Sequence, residues 1–205
     1  MWRRLEAAAP SLLLAAIVAG FGALAVALTE GGRAFTSEAW RRLRIEHAPV
    51  ALPDVAYLDE RGHAGRLKDL CGAPLVIDFV YTRCPTVCKA AGALSSQLAR
   101  RLANAGVHAS VLSLSIDPAY DTPLQLSDFK RRSEPEPSSW RALAPVSARE
   151  LELLLRQLGV VVVADGQGGF EHNAAFHLVD RQCRVARIVD LEDLNGAETF
   201  ALAAR

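Results

Sequence analysis

The pattern of apolar and polar residues divides the chain into an N-terminal apolar stretch and a domain of alternating strands and helices. Residues 7–29 contain no charged side chain, and a helix of that length crosses roughly 30 Å of hydrocarbon. Residues 30–47 combine Gly31-Gly32 with scattered arginines and little periodicity, which is typical of a tether. We therefore predict an N-terminal segment over residues 1–6, a membrane helix over 7–29, a tether over 30–47 and one domain over 48–205.

Within the domain, apolar patterns typical of strands and helices alternate and are separated by glycine and proline. Strands are predicted at residues 57–62, 74–81, 107–116, 160–163, 176–180 and 185–189, with a short element at 67–70. Helices are predicted at residues 86–105, 121–132, 147–158 and from 191 onward, with loops at 133–139 and 165–169.

The run at residues 74–81 is nearly continuously apolar and rich in β-branched side chains, which indicates a central strand covered on both faces. The helix and strand after it complete a β-α-β unit, whose strands are parallel. Ser147 with Glu150 forms a capping box that begins a later helix, and Gly159 ends it. The element order predicts an α/β thioredoxin-like sandwich, a central mixed sheet flanked by helices, preceded by one N-terminal transmembrane helix.

The distribution of charge predicts on which side of the membrane the domain lies, and the net charge gives no indication of a nucleic-acid partner. The chain has 23 basic and 23 acidic residues, so its bulk charge does not indicate nucleic acid as a partner. Arg3 and Arg4 precede the apolar stretch, which predicts a cytoplasmic N-terminus and a single-pass protein of the inner (cytoplasmic) membrane, with its domain facing the periplasm. The competing interpretation is a cleaved signal peptide, because Ala25 and Ala27 are small residues suited to a peptidase.

A cysteine pair lies where the central strand ends and a helix begins. Cys84 and Cys88 are four residues apart, a spacing that on a helix separates the Cβ atoms by about 5–6 Å. A disulfide requires about 3.8 Å, so the pair suits a metal better than a bond. The positive end of the helix dipole favours thiolates, and thiolates bind soft metals.

A third donor is expected from a distant loop. His172 follows the glycine-rich loop and precedes a hairpin strand. If that strand runs antiparallel to the central strand, His172 reaches the cysteines. Two thiolates and one imidazole suit Cu(I) and resemble sets that accept Cu(II), whereas a structural zinc, the main competitor, would require a fourth ligand. Arg83 and Lys89 are hypothesised to stabilise the reduced metal.

Two carboxylates are candidates for a supporting role. Asp78 lies six residues before Cys84, the spacing at which thioredoxins keep a buried acid that handles thiol protons, and burial would raise its pKa. The alternative is an edge-facing Asp with a hydrogen-bond partner. Asp117 most economically forms a turn and a helix cap together with Pro118, Asp121 and Thr122. A role for Asp117 in shaping the metal pocket is the alternative.

The remaining cysteines and one histidine have structural interpretations. Cys71 precedes the central strand and Cys183 lies in the hairpin turn, so both are expected at the end of the sheet opposite Cys84. In an oxidising compartment they could form a structural disulfide. His177 falls within a strand pattern, which favours packing over ligation.

Three motifs, in order, resemble the Sco/SenC family of copper chaperones. They are Tyr81-Thr-Arg-Cys-Pro-Thr-Val-Cys88, Ser115-Ile-Asp-Pro-Ala-Tyr-Asp-Thr-Pro123 and His172-Asn-Ala-Ala-Phe-His-Leu-Val-Asp180. The resemblance implies a membrane-tethered thioredoxin fold in which Cys84, Cys88 and His172 hold copper. It also implies a role in building the binuclear copper centre of cytochrome c oxidase, with the copper-bearing oxidase subunit and an upstream copper donor as partners. Lys89 stands where many members have proline, and Cys71 and Cys183 lie outside the family's pattern.

The same residues are compatible with more than one function. A copper-delivering metallochaperone, which is not an enzyme, is the favoured interpretation. A thiol-disulfide reductase that keeps the oxidase cysteines reduced is the first alternative, and a redox or copper sensor is the second. His172 discriminates the first two, because dithiol exchange alone does not need an imidazole. A peroxidase is disfavoured, because no activating arginine accompanies the cysteines in a defined motif.

Overall fold

The computed structural model describes residues 3–29, 31–32, 34–84, 87–133 and 139–204, with side chains given from residue 13 onward except at residue 87. Most of the loop predicted at residues 133–139 and the predicted helix start at residue 86 lie outside the described residues. The chain divides into two units, residues 1–44 and 45–205.

The N-terminal unit is helical. Helix α1 covers Arg3–Leu28. In the part of the chain that the structure describes, no helix is long and apolar enough to cross a membrane. The membrane span predicted for residues 7–29 stays a prediction.

The tether predicted over residues 30–47 is helical in its second half. Helix α2 covers Ser37–His47. Two of its arginines pair with one acid, because Glu38 lies 2.6 Å from Arg41 and 2.8 Å from Arg42. Pairs three and four residues apart lie on one helix face and stabilise it. These residues are therefore helical, while their role as a tether stays a prediction.

The second unit contains a mixed eight-stranded sheet and four helices. Its strands in chain order are β1 Val50–Ala51, β2 Ala56–Asp59, β3 Ala64–Arg66, β4 Leu75–Val80, β5 Ser110–Ser115, β6 Trp140–Pro145, β7 Val162–Ala164, β8 Phe170–His172, β9 Phe176–Val179 and β10 Arg184–Val189. Its helices are α3 Val87–Asn104, α4 Pro123–Arg132, α5 Ala148–Leu158 and α6 Leu194–Ala203, with a 3-10 turn at Leu67–Leu70. The sheet order is β1-β10-β9-β4-β5-β6-β2-β3, and β7 and β8 form a separate two-stranded sheet.

The predicted central strand lies in the middle of the sheet. All six residues of β4 are buried. It runs parallel to β5, with Leu75 opposite Ser110, and antiparallel to β9, with Ile77 opposite His177. Helices α3 and α6 pack on this part of the sheet. These pairings confirm the β-α-β unit, the mixed sheet and the thioredoxin-like sandwich.

The predicted helix ends are confirmed by their local geometry. The Ser147 hydroxyl accepts a hydrogen bond from the Glu150 N–H at 3.3 Å, and Gly159 ends α5 in the left-handed region at φ 66°. Such a residue satisfies the last carbonyls of a helix. The Glu150 carboxylate also accepts from the Ala56 N–H at 3.0 Å, which ties α5 to β2.

The strands differ from the sequence prediction in several places, and the short strands β1, β3 and β8 were not predicted. Strand β6 was not predicted, because its alanines and Pro145 have low strand propensity, although Trp140 is fully buried. The strand expected at residues 160–163 is β7, which pairs with β8 rather than joining the main sheet. The loop between them is a turn in which Asp165 accepts hydrogen bonds from the N–H groups of Gln167 and Gly169 at 2.7 and 2.9 Å.

A disulfide joins Cys71 and Cys183, with 5.4 Å between their Cα atoms. That separation lies in the usual range for a disulfide, and the bond agrees with the pairing considered from the sequence. The Cys183 carbonyl accepts a hydrogen bond from the Leu52 N–H at 2.8 Å. The disulfide thus fixes the β9–β10 turn to the segment before β4.

Candidate metal centre

Cys84 and Cys88 lie together at the carboxyl end of β4. The Cys84 N–H donates to the Tyr81 carbonyl at 3.2 Å, and the Cys88 N–H donates to Cys84 Sγ at 3.3 Å. Cys84 therefore precedes α3, and its sulfur accepts from an amide in the first turn of that helix. Neither residue is in a disulfide. Pro85 and Thr86, between them in the motif, lie outside the described residues.

The two sulfurs have different environments. Cys84 is partly exposed, whereas Cys88 is only 3% exposed. Burial raises the pKa of the Cys88 thiol well above its ordinary value, and the nearby Cys84 and Asp78 act in the same direction. Burial of Cys88 therefore opposes the thiolate that the helix dipole was expected to favour.

Asp78 is a buried acid beneath this pair. It lies on β4 and is 1% exposed. Its Oδ1 accepts from the Ser113 hydroxyl at 2.7 Å, and the Ser113 oxygen accepts from Trp140 Nε1 at 3.0 Å. Within the described residues, Oδ2 has no hydrogen-bond partner. Burial raises the pKa of Asp78 to about 7, against the hydrogen bond from Ser113. The expected rise is confirmed, while a role in moving thiol protons stays a prediction.

Asp117 contacts the residue next to Cys84. Its carboxylate accepts from Arg83 Nε at 3.1 Å and Nη2 at 2.5 Å, and its carbonyl accepts from the N–H groups of Tyr120 and Asp121. The Arg83 guanidinium also lies 4.5 Å from the centre of the Tyr120 ring. Asp117 therefore forms the expected turn and also compensates the charge of Arg83. The hypothesis that Arg83 and Lys89 stabilise a reduced metal stays a prediction.

Asp121 supports the cysteine loop, a role that the sequence did not assign to it. It is fully buried and accepts from the Thr82 hydroxyl at 2.6 Å, the Thr82 N–H at 3.2 Å and the Ser115 hydroxyl at 2.6 Å. Burial raises the pKa of its carboxyl. Two features of the sequence could have indicated this role: a threonine two residues before Cys84, and a second acid in the Asp117–Asp121 turn.

His172 is the last residue of β8. Its Nδ1 is buried and has no hydrogen-bond partner in the described residues, and burial lowers its pKa. The imidazole is therefore neutral near pH 7, with a nitrogen lone pair or N–H that no group in the described residues satisfies. A neutral imidazole is the form that ligates metals, so the residue fits the predicted role.

The hairpin of β7 and β8 places His172 on the side of the cysteine loop. Phe170 and His172 are two residues apart on a strand, so their side chains share one face. The Phe170 ring meets the Tyr81 ring edge-on, with 5.4 Å between centroids. However, no three His, Cys, Asp or Glu side chains lie close enough to hold a metal ion within the described residues. The structure brings the two cysteines together without completing a set with His172, and the ligand set stays a prediction.

His177 has the packing role expected from its strand pattern. It is fully buried on β9, and its ring meets the Phe79 ring edge-on at 5.3 Å between centroids.

The fold and the cysteine pair define a class of protein, a thioredoxin-like domain with two thiols at the carboxyl end of its central strand. Residues 53–203 match the family model described as SCO1/SenC. The chain therefore belongs to the SCO1/SenC family.

Known proteins similar to this chain include one curated relative and several solved structures. The SCO1 protein homolog of Bacillus subtilis (strain 168) is 28% identical over 144 residues, which cover 69% of this chain and 72% of that protein. BsSco, a member of the Sco family of cytochrome c oxidase assembly proteins, superposes with a TM-score of 0.66 at 22% identity, covering 77% of this chain and 96% of its own. Copper-bound ScoI of Bradyrhizobium japonicum superposes with a TM-score of 0.59 at 22% identity, covering 76% and 99%. These structural similarities support the thioredoxin-like fold.

Proposed function

We propose that this protein binds one copper ion through Cys84, Cys88 and His172 and delivers it to the binuclear copper centre during assembly of cytochrome c oxidase. The observation that carries the proposal is the buried Nδ1 of His172, which has no hydrogen-bond partner in the described residues. A polar atom buried without a partner is costly, and a metal ion would satisfy it. Copper-bound ScoI of Bradyrhizobium japonicum supports the choice of metal.

The fold gives each proposed ligand a different exposure and a different tendency to lose its proton. Cys84 is partly exposed and its sulfur already accepts an amide hydrogen bond, which favours its thiolate. Cys88 is buried, so a bound cation that takes the place of its proton would favour its thiolate. His172 is neutral and needs no deprotonation. Closing the set requires the β7–β8 hairpin to approach the sulfurs, and that hairpin is separate from the main sheet.

A thiol-disulfide reductase is the second candidate, and Asp78 is the observation that favours it. A carboxyl with a pKa of about 7 that influences the buried Cys88 thiol can accept its proton near neutral pH. The two thiols would be oxidised to a Cys84–Cys88 disulfide while a disulfide of the oxidase subunit is reduced to two thiols. This reaction uses the same pair but does not involve His172.

We also propose that residues 7–29 anchor the domain to the inner membrane, on its periplasmic side. The support is the absence of charge over this stretch together with Arg3 and Arg4 before it. The copper-bearing oxidase subunit and an upstream copper donor are the partners that this placement makes accessible. Recovery of the full chain in carbonate-washed membranes is expected, and its release into the wash would contradict the anchor.

The first experiment compares copper binding by the full-length protein and its His172→Ala variant. The wild type is expected to bind one copper per chain with a thiolate-to-Cu(II) absorption band. Loss of the imidazole should weaken binding by about 100-fold or more, since even residues that only orient a metal ligand change affinity by about 10–100-fold. His108→Ala, at an exposed histidine, is the control and should bind like the wild type.

Cells carrying each variant then separate the two candidate functions. Loss of oxidase activity with His172→Ala, while its dithiol still exchanges at the wild-type rate, supports copper delivery. Normal copper affinity in His172→Ala would contradict the ligand set. Normal oxidase activity despite weakened copper binding would instead favour the reductase.

A further inference from the structure

Tyr81 connects the cysteine loop to the hairpin that carries His172. It follows β4 directly and is 4% exposed. Its carbonyl accepts the Cys84 N–H at 3.2 Å, and its hydroxyl donates to the Phe170 carbonyl at 3.0 Å. One residue therefore touches both halves of the proposed copper site, and its hydroxyl partner Phe170 lies 89 positions away in the sequence.

The Tyr81 hydroxyl fits closely against the hairpin turn. A Cβ added at Gly169 would lie 3.1 Å from the Tyr81 hydroxyl oxygen and 2.5 Å from Asp165 Oδ2. A larger residue at position 169 would therefore require the Asp165 side chain, and to a smaller extent the Tyr81 hydroxyl, to shift. The Phe170 ring adds an edge-on contact with the Tyr81 ring, at 89° between ring planes. The contact is thus specified by a hydroxyl, a glycine and an aromatic pair.

The hairpin has a second attachment at its other end. Asn173 Nδ2 donates to the Gly159 carbonyl at 3.2 Å, and Asn173 Oδ1 accepts from the Val161 N–H at 2.8 Å. Asn173 therefore fixes the base of the hairpin to the end of α5. Tyr81 fixes the strand itself, two residues from His172 and on the same strand face as its imidazole.

We propose that Tyr81 is a positioning residue of the copper site, whose hydroxyl holds the β7–β8 hairpin beside the cysteine loop, in the position from which the His172 imidazole approaches the two sulfurs. This inference rests on the proposed copper ligands. Tyr81 acts through the hairpin and does not itself bind the metal.

The test uses Tyr81→Phe, which removes the hydroxyl and keeps the ring that packs on Phe170. The matched control is Tyr57→Phe, because Tyr57 is 3% exposed and its hydroxyl accepts from Arg141 Nη2 at 3.3 Å, away from the hairpin. Amide hydrogen exchange of β7 and β8 is measured on the copper-free full-length protein. Loss of the hydrogen bond should accelerate this exchange by about tenfold in Tyr81→Phe and leave it unchanged in Tyr57→Phe.

Copper affinity is then measured by competition with a chromophoric chelator, in the wild-type and His172→Ala backgrounds. Tyr81→Phe should raise the dissociation constant by up to about tenfold and change the Cu(II) spectrum in the wild-type background only. Residues that act through one another give non-additive effects in such a cycle.

The outcomes separate this inference from the function on which it rests. Unchanged hairpin exchange, unchanged copper affinity, or an equal loss of affinity in both backgrounds would each overturn the role of Tyr81. If His172→Ala binds copper like the wild type, the proposed ligand set fails instead, whatever Tyr81→Phe does.

Discussion

Replacing Cys71 and Cys183 together with alanine should lower the free energy of unfolding by about 4 kcal/mol. The two residues are separated by 112 positions, and a cross-link over so long a loop removes many conformations from the unfolded chain. Urea denaturation of the copper-free protein at pH 7, monitored by circular dichroism, measures the difference. An unfolding midpoint equal to that of the wild type would show that the disulfide does not stabilise the domain.

The complementary variant, Cys84→Ala with Cys88→Ala, tests whether the Cys71–Cys183 disulfide is the bond that stabilises the domain. It retains Cys71 and Cys183, so a strong reductant should destabilise it as it does the wild type. The same reductant should leave the Cys71→Ala, Cys183→Ala variant unaffected. A destabilisation by reductant that persists in this last variant would place the responsible bond elsewhere.

Asp78 should make the domain less stable as the pH rises from about 4 to about 7. Burial raises its pKa in the folded protein from 3.8 to about 7, so the folded state keeps a proton that the unfolded chain has already lost. Stability falls with pH wherever the folded state binds more protons. The slope is about 1.4 kcal/mol per pH unit, which gives a loss on the order of 4 kcal/mol across the window. Below and above this window, Asp78 contributes no slope.

Asp78→Asn isolates this contribution. The free energy of unfolding of the wild type minus that of the variant, measured in urea at several pH values, should decrease between pH 4 and 7 and then level off. Asp69→Asn, at an exposed position, controls for the loss of a negative charge. A difference that does not vary with pH would show that the Asp78 carboxyl ionises normally. Alkylation of the Cys88 thiol at the wild-type rate in Asp78→Asn would also remove the proton-transfer role.

The parts of the fold that the sequence predicts are those where one local signal dominates. The continuous apolar run of β4 admits only a buried strand, and Ser147 and Gly159 carry their own capping chemistry. For Asp78 the same run left two alternatives, a buried acid and an edge-facing one, and the structure confirms the buried one. Strand β6 escaped prediction, because Trp140 and its neighbours are placed by tertiary packing rather than by strand propensity.

The parts of the site that escaped prediction depend on long-range contacts. The capping spacing around Asp121 suggested only a turn, whereas its bonds to Thr82 reach 39 residues back in the sequence. The helix dipole indicated a thiolate at Cys88, but desolvation by the folded core opposes it. Tyr81 was interpreted as the last residue of an apolar strand. The hydrogen bond from its hydroxyl to the Phe170 carbonyl depends on the position of the β7–β8 hairpin, which the sequence does not predict.

The position of β4 between two sulfur pairs has a consequence for oxidative folding. Its six residues span about 20 Å, with Cys71 before the strand and Cys84 and Cys88 after it. Thiol-disulfide exchange requires contact between sulfurs, so the Cys71–Cys183 bond cannot exchange within the chain with Cys84 or Cys88 once the sheet has formed. Mispairing among the four cysteines is then confined to the period before β4 joins its neighbours, and sheet assembly keeps the two thiols of the proposed copper site apart from the disulfide.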